Sequence, residues 1–230
     1  MRIALVADLH GNWPATLRLE EDLRNQGAAR VICLGDVAGK GPSGDRTFDW
    51  AMANCDIVLG GNWDYGLGGK RFPMDIFYWE QLGEKRLKIL QNLPREHLLT
   101  FGGRRVRLFH GRPVMESLIT VRHKKEQILP FFEDGEGGRF DVVGYADTHR
   151  QTLRTMTPGL FFNCGSVGNA LGEPMCCYAL MEAKSTGDFE LRFRSLEYDR
   201  RQAVADAQKA RNIPRIDSYI NEVETGVYSR

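Results

Sequence analysis

Three short apolar runs in the first 60 residues each end abruptly in a polar cluster, and helix-patterned segments separate them. Residues 1–7 run into Asp8-Leu9-His10-Gly11-Asn12. Residues 31–34 run into Gly35-Asp36, and residues 56–60 into Gly61-Asn62-Trp63-Asp64. Residues 14–26 are helix formers, with Asn12 placed to cap them, Pro14 in the first turn and Gly27 as the stop. A Gly/Pro-rich loop over 39–44 precedes a second helical stretch at 45–53. Units of about 30 residues that alternate strand and helix predict parallel strands joined by helical crossovers, an α/β fold.

Further on, Leu82, Arg86, Ile89, Leu90 and Leu93 recur at helical spacing over 78–93, and Pro94 ends the pattern. Residues 98–101 and 105–109 flank Gly102-Gly103 and read as a hairpin that delivers His110-Gly111. A helix closes over 128–133 before the Gly-rich segment 134–138, and a strand at 141–144 leads to Asp147-Thr148-His149. Strands are expected at 160–163, 175–181 and 189–196, and a helix at 199–212 that Pro214 halts. Residues 215–230 read as a short helix and tail. No repeat or break in composition divides the chain, so residues 1–230 read as a single domain.

Composition narrows the function classes. Lys+Arg number 31 against 30 Asp+Glu, a formal charge of +1, with 42% hydrophobic and 27% charged residues, as in soluble globular chains. Near-neutrality argues against binding nucleic acid by counterion release, and no dedicated nucleic-acid surface is evident. Nothing approaches about 18 consecutive apolar residues, so no membrane span is expected. Asp8 and His10 interrupt the first apolar run too early for a signal peptide. The five cysteines, odd in number and mostly within apolar runs, suit reduced thiols in a cytoplasm. Cys176-Cys177 on a strand would face opposite ways and make a poor metal pair. A homo-oligomer stays open.

In parallel α/β sheets, ligands gather at the carboxyl ends of strands. Here those ends deliver Asp8 and His10, then Asp36, then Asn62 and Asp64, then His110, and finally Asp147 and His149. If the strands share a sheet, these groups meet at one rim. A lone strand-end Asp is ordinarily a cap or turn residue; the ordered set at crossover spacing is what points to a site. Oxygen and nitrogen donors without thiolates suit Mn²⁺, Fe or Zn. There are too many for one tetrahedral ion, and a carboxylate such as Asp36 can bridge two ions about 3.5–4 Å apart.

At these residues the sequence resembles the calcineurin-like metallophosphoesterases, whose ordered motifs DxH, GD, GNxD, H and GHxH appear as Asp8-Leu9-His10, Gly35-Asp36, Gly61-Asn62-Trp63-Asp64, His110-Gly111 and Asp147-Thr148-His149. The small bacterial and archaeal YfcE-type phosphodiesterases look nearest, through Gly39-Lys40-Gly41-Pro42 and Asn163-Cys164-Gly165-Ser166-Val167-Gly168 as well. The resemblance covers roughly residues 1 to 200. It implies a four-layer α/β/β/α sandwich of two mixed sheets and two divalent ions, Mn²⁺ first, with Fe, Ni, Zn or Mg²⁺ as alternatives. One ion would take Asp8, His10, Asp36 and His149; the other would take Asp36 as bridge, Asn62, His110 and Asp147. It also implies a water between the metals attacking phosphorus in line, with Asp36, Asn62 and Asp64 as the catalytic set and a small phosphoester as substrate.

Two departures stand out. Trp63 replaces the His of GNHD, the family's proposed proton donor, and an indole N–H cannot protonate a leaving alkoxide. That predicts a bias toward activated or aryl esters, or a donor from elsewhere; base stacking and simple packing are the other readings of Trp63. Asp147 replaces the first His of GHxH, an anionic oxygen donor that would favour Mn²⁺ or Mg²⁺ over Zn²⁺, or else a second metal would bind weakly. Arg112 and Arg150 either clamp a phosphate oxygen or are surface charges. Asn12 either contacts a metal-bound oxygen or caps its helix. The expected function is a cytoplasmic metal-dependent phosphodiesterase. The alternatives are a phosphomonoesterase or protein phosphatase, or a scaffold on the same fold with a degraded site, as the retromer coat's small subunit is in this family.

Overall fold

The computed structural model describes residues 1–184, 187–210 and 212–229. Strand β1 (Arg2–Val6), helix α1 (Trp13–Gln26), β2 (Arg30–Cys33), α2 (Gly44–Asn54) and β3 (Ile57–Val58) realise the expected alternation. β1 pairs in parallel with β2, and β2 with β3. The Asn12 carboxamide caps α1 by accepting from Ala15 N at 3.2 Å, and Gly27 ends it in a left-handed turn at φ 59°. After α3 (Asn62–Gly68) and α4 (Ile76–Gln91), the hairpin β4 (Glu96–Phe101) and β5 (Arg104–Phe109) turns at Gly102-Gly103. Then come α5 (Lys125–Ile128), β6 (Val142–Tyr145), β7 (Thr152–Thr155), β8 (Leu160–Asn163), β9 (Cys176–Ala183), β10 (Phe189–Leu196), α6 (Arg200–Lys209) and α7 (Ile216–Thr225).

The strands form two mixed five-stranded sheets, ordered β10-β9-β1-β2-β3 and β4-β5-β6-β8-β7. Period-two alternation divides β1 between two cores. Ile3 and Leu5 face Val106, Leu108, Val142 and Phe162 of the second sheet. Ala4 and Val6 face Leu19, Phe48 and Leu87 on the helical side. A third apolar cluster covers the outer face of the second sheet, where Phe109, Val143 and Phe161 meet Ile128 and Phe132. The layers are therefore helix, sheet, sheet and helix, as the resemblance implied.

Local differences from expectation have local causes. Residues 128–133 are not one helix: α5 ends at Ile128 and a 3-10 turn runs over Leu129–Phe132, because Pro130 has no N–H to continue the ladder. α4 kinks at Gly83, which adopts φ 70° and ψ 161°. α6 stops at Lys209, short of residue 212. α3 and β7 were not anticipated.

Asp22 of α1 ties this helix to the first sheet. Its carboxylate accepts from the Tyr178 hydroxyl at 2.6 Å and from Arg194 Nη2 at 2.8 Å. Burial resists its ionisation, but the Arg194 guanidinium and the Tyr178 hydroxyl hold its pKa below the usual carboxylate value. A depressed native pKa means the stabilisation is present above the unfolded value of about 4 and is lost as pH falls through the native one. Asp22→Asn should cost about 2 kcal/mol at pH 7, below the roughly 3–5 kcal/mol of a fully buried pair because the Arg194 side chain is 31% exposed. Denaturant unfolding should show that difference shrinking below about pH 4; a difference that does not change with pH would contradict it.

Candidate metal centre

The carboxyl ends of β1, β2 and β3 meet those of β5 and β6 from the other sheet, so the expected single rim is a seam between two sheets. Backbone bonds stitch it together. Asp8 N donates to Gly35 O at 2.9 Å, His10 N to Asp36 O at 3.2 Å, and Gly168 N to Asp8 O at 2.9 Å. The turns are tight enough that Asp8, His10, Asp36, Lys40, Asp147 and His149 all take left-handed backbone, with φ between 46° and 66°. Each such non-glycine residue carries a strain cost, and such residues gather where function over-determines the backbone. At Gly61, any Cβ would collide with the Asp36 carboxylate.

Three imidazoles are aimed by the same device. Nδ1 of His10 lies 3.3 Å from Ala38 O, that of His110 2.9 Å from Leu34 O, and that of His149 2.7 Å from Asn169 O. A carbonyl only accepts, so each Nδ1 carries the proton and each Nε2 turns inward. His110 thus reaches across the seam from β5 to the loop after β2.

The Nε2 atoms converge on two carboxylates. Asp8 Oδ1 lies 3.3 Å from His149 Nε2, 3.5 Å from His10 Nε2 and 3.8 Å from His110 Nε2. Asp36 Oδ2 lies 3.3 Å from His110 Nε2 and 3.6 Å from His10 Nε2. Asp8 is wholly buried, yet neither of its carboxylate oxygens has a hydrogen-bond partner among the described residues, nor does His110 Nε2. Buried polar atoms without partners are rare, and a cation would satisfy these three at once. Burial works against the Asp8 charge, but His149 and His110 hold its carboxyl well below the ordinary range. Burial and Lys40 push His10 down to about 4, while the two carboxylates overcome burial and raise His110 to about 10. The donors form two triads, Asp8/His10/His149 and Asp8/Asp36/His110, in each of which the ligating atoms lie within 4.8 Å of one another. A hard anionic oxygen with imidazole nitrogens suits a divalent ion at each. Asp8 is common to both triads, and Asp36 faces His10 as well as His110.

The other expected residues divide. Asn62 and Asp147 stand beside this cluster. The Asn62 amide nitrogen donates to Asp147 Oδ1 at 3.2 Å, and Asp147 Oδ1 lies 4.0 Å from His110 Nε2. Arg112 grips Asp147 with two bonds, Nη2 to Oδ1 at 2.7 Å and Nε to Oδ2 at 2.9 Å. Asp64, expected in the catalytic set, instead accepts backbone N–H groups of Asp36 at 2.7 Å, Val37 at 3.1 Å and Gly61 at 2.9 Å. Burial, then the Asp36 charge, raises its pKa to about 7. It positions the loop that carries Asp36. Asn12 caps its helix, the second of the two roles open to it: besides accepting from Ala15 N, its Nδ2 donates to Gly168 O at 2.8 Å and the Tyr198 hydroxyl at 3.1 Å. Trp63 donates its backbone N–H to Asp36 Oδ1 at 2.9 Å, and its ring meets His10 edge-on at 5.9 Å.

A cavity of about 590 Å³ opens over Asp36, Asn62, Asp147 and His149, with Trp63, Arg112 and Arg150 in its wall. Sequence reasoning missed three of its other lining residues, Lys40, Arg215 and Tyr228. Lys40 Nζ lies 2.9 Å from Asn169 Oδ1 and 3.3 Å from His149 Nε2. Its signal was a lysine between two glycines in a strand-end loop; the other two lie far along the chain from any motif.

If a divalent ion partners the orphaned Asp8 oxygens, it must stabilise the native chain. At a thousandfold excess over Kd the linkage is about 4 kcal/mol, or a Tm rise of roughly 10 °C for a chain of this size. Chelator-stripped protein should show that rise with Mn²⁺, and Asp8→Asn should lose most of it. No rise with Mn²⁺, Zn²⁺, Ni²⁺ or Mg²⁺ would contradict the assignment.

The profile of the Calcineurin-like phosphoesterase superfamily domain matches residues 1–186. An uncharacterized protein of Methanocaldococcus jannaschii is 27% identical over 91% of this chain and 93% of its own. The crystal structure of a metallophosphoesterase from Sphaerobacter thermophilus superposes with a TM-score of 0.78 at 22% identity, covering 99% of both chains. YfcE, a phosphoesterase from E. coli, gives a TM-score of 0.51 at 19% identity, covering 86% of this chain and all of its own. The two last likenesses establish the fold; the match over residues 1–186, with the Asp and His residues of its ordered motifs gathered at one seam, places this chain in the calcineurin-like phosphoesterase superfamily.

Proposed function

We propose that the chain is a metal-dependent phosphodiesterase with a dinuclear centre, Mn²⁺ its working ion, acting on small phosphoesters in the cytoplasm. The observation that carries this reading is a buried carboxylate without hydrogen-bond partners, Asp8, shared by two His-bearing triads beside a cationic cavity. Asp8, His10 and His149 would hold one ion. Asp36 and His110 would hold the second with Asp8, and Asn62 and Asp147 stand next to it. When bound, the ions supply Lewis-acid polarisation of the phosphoryl oxygens and a lowered pKa for the attacking water.

The chain's own residues do the rest. Lys40 sets positive charge in the cavity wall, where charge-assisted bonds to phosphate oxygens are strong. Arg112 orients Asp147 through its two side-chain bonds. The backbone N–H of Trp63 fixes Asp36, while its indole offers no acid for the leaving oxygen. Esters whose leaving group needs no protonation are therefore favoured. A buried, unpaired Asp8 with five further strained residues beside it favours a working site over a surface that only docks partners.

Hydrolysis of bis(p-nitrophenyl) phosphate by chelator-stripped protein tests this. Turnover should require added Mn²⁺ and fall in Asp36→Asn by more than the roughly 10–100-fold that loss of a ligand-supporting hydrogen bond costs. Rates across a leaving-group series should drop steeply as leaving-group pKa rises. No turnover with Mn²⁺, Ni²⁺, Co²⁺ or Mg²⁺ would shift the assignment to a binding role.

A further inference from the structure

The family match ends at residue 186, yet the wall of the cavity does not. Arg215, on the turn before α7, and Tyr228, after that helix, both line the space above the Asp36/Asp147/His149 cluster. The segment carrying Tyr228 is tied in place. Gly172 N donates to Gly226 O at 2.7 Å, Asn221 Nδ2 to Val227 O at 3.2 Å, and Ser229 N to Glu222 Oε1 at 3.2 Å. α7 itself is anchored by Tyr219 and Val223, which pack on Ala203 and Ala207 of α6. The result is a tyrosine left 60% exposed at a cationic pocket whose wall also holds Arg112.

The cations of the pocket are not equivalent. Arg112 is engaged by Asp147, and Lys40 contacts Asn169 and His149. Neither Arg150 nor Arg215 has a side-chain hydrogen bond or ion pair with any described residue. One phosphoryl group, held at the Asp and His cluster, leaves these two guanidinium groups without an anion. Two arginines and a phenol ring in the wall of one cavity, the ring on a segment tied down on both sides, match a ligand with a second phosphate and a flat ring, since guanidinium binds phosphate in bidentate fashion and aromatic side chains stack on bases.

We propose that the segment after residue 186 makes the site selective for nucleosides bearing two or more phosphates, with Arg215 and Arg150 on the second phosphate and Tyr228 against the base. This rests on the phosphoesterase reading for the fate of the bound ester, not for its recognition. Equilibrium dialysis at fixed free Mn²⁺, with ADP, AMP and inorganic phosphate as probes, tests it. The parent should bind ADP at least about tenfold more tightly than phosphate, a gap typical of one added charge-assisted contact. Arg215→Asn, which keeps a residue tolerant of the left-handed φ of 57° there, should abolish the preference of ADP over AMP. Tyr228→Ala should narrow the gap between both nucleotides and phosphate. Because both side chains are exposed, unchanged unfolding midpoints will show that any loss is local.

Equal binding of ADP and phosphate by the parent, or ADP binding untouched in both variants, would overturn the proposal. Turnover of bis(p-nitrophenyl) phosphate is measured alongside. Turnover without selective ADP binding removes only this inference. Selective, variant-sensitive ADP binding without turnover keeps it and removes the phosphodiesterase reading.

Discussion

The Asp8 carboxylate is wholly buried and neither of its oxygens has a hydrogen-bond partner among the described residues, and the architecture around it follows from that fact. An ionised carboxylate is tolerated in such surroundings only if positive charge is brought to it. Three imidazoles surround it, each locked by a backbone carbonyl on its far nitrogen, and two of those carbonyls come from the loop after β2; of the three, His110 is the one whose pKa its carboxylate neighbours raise, to about 10. The loops after β2 and β8 thereby fix ligands that other strands carry.

The two-sheet arrangement makes this possible. A single parallel sheet offers strand ends along one line, whereas two facing sheets bring five strand ends around a point. The cost is backbone strain: six residues in left-handed geometry, none of them glycine, within three strand-end loops and their neighbours. Asp64 shows how the strain is borne. Its carboxylate collects three backbone N–H groups, two of them from the Asp36 loop, and holds that turn in shape. The acid that holds the turn and the acid that faces the histidines are thus different residues, one loop apart.

Much of this was legible in the chain, and the failures are instructive. Asp8, His10, Asp36, His110 and His149 could be read because each follows an apolar run at crossover spacing, a pattern that strand ends impose. Asp64 and Asn12 belong to the same motifs but serve the backbone; sequence shows that a polar side chain sits at a turn, not whether it faces the cavity or the nearest N–H. α3 escaped notice because its residues, Asn62–Gly68, include two glycines and read as loop. β7 is a four-residue edge strand whose burial alternates without a hydrophobic run. Arg215 and Tyr228 carried no signal at all. Their place in the cavity arises from α7 packing on α6 and from the Gly172–Gly226 contact, and tertiary proximity of that kind leaves no trace in local pattern.

The central claim is that the unpaired Asp8 carboxylate exists to be shared by two cations. Anomalous diffraction at the manganese edge, from crystals grown with Mn²⁺, measures this directly. The account predicts two peaks about 3.5–4 Å apart, one among Asp8, His10 and His149 and the other among Asp8 or Asp36 and His110. A single peak, or density at the cluster with no anomalous signal and Asp8 paired to a donor from this chain, would contradict it.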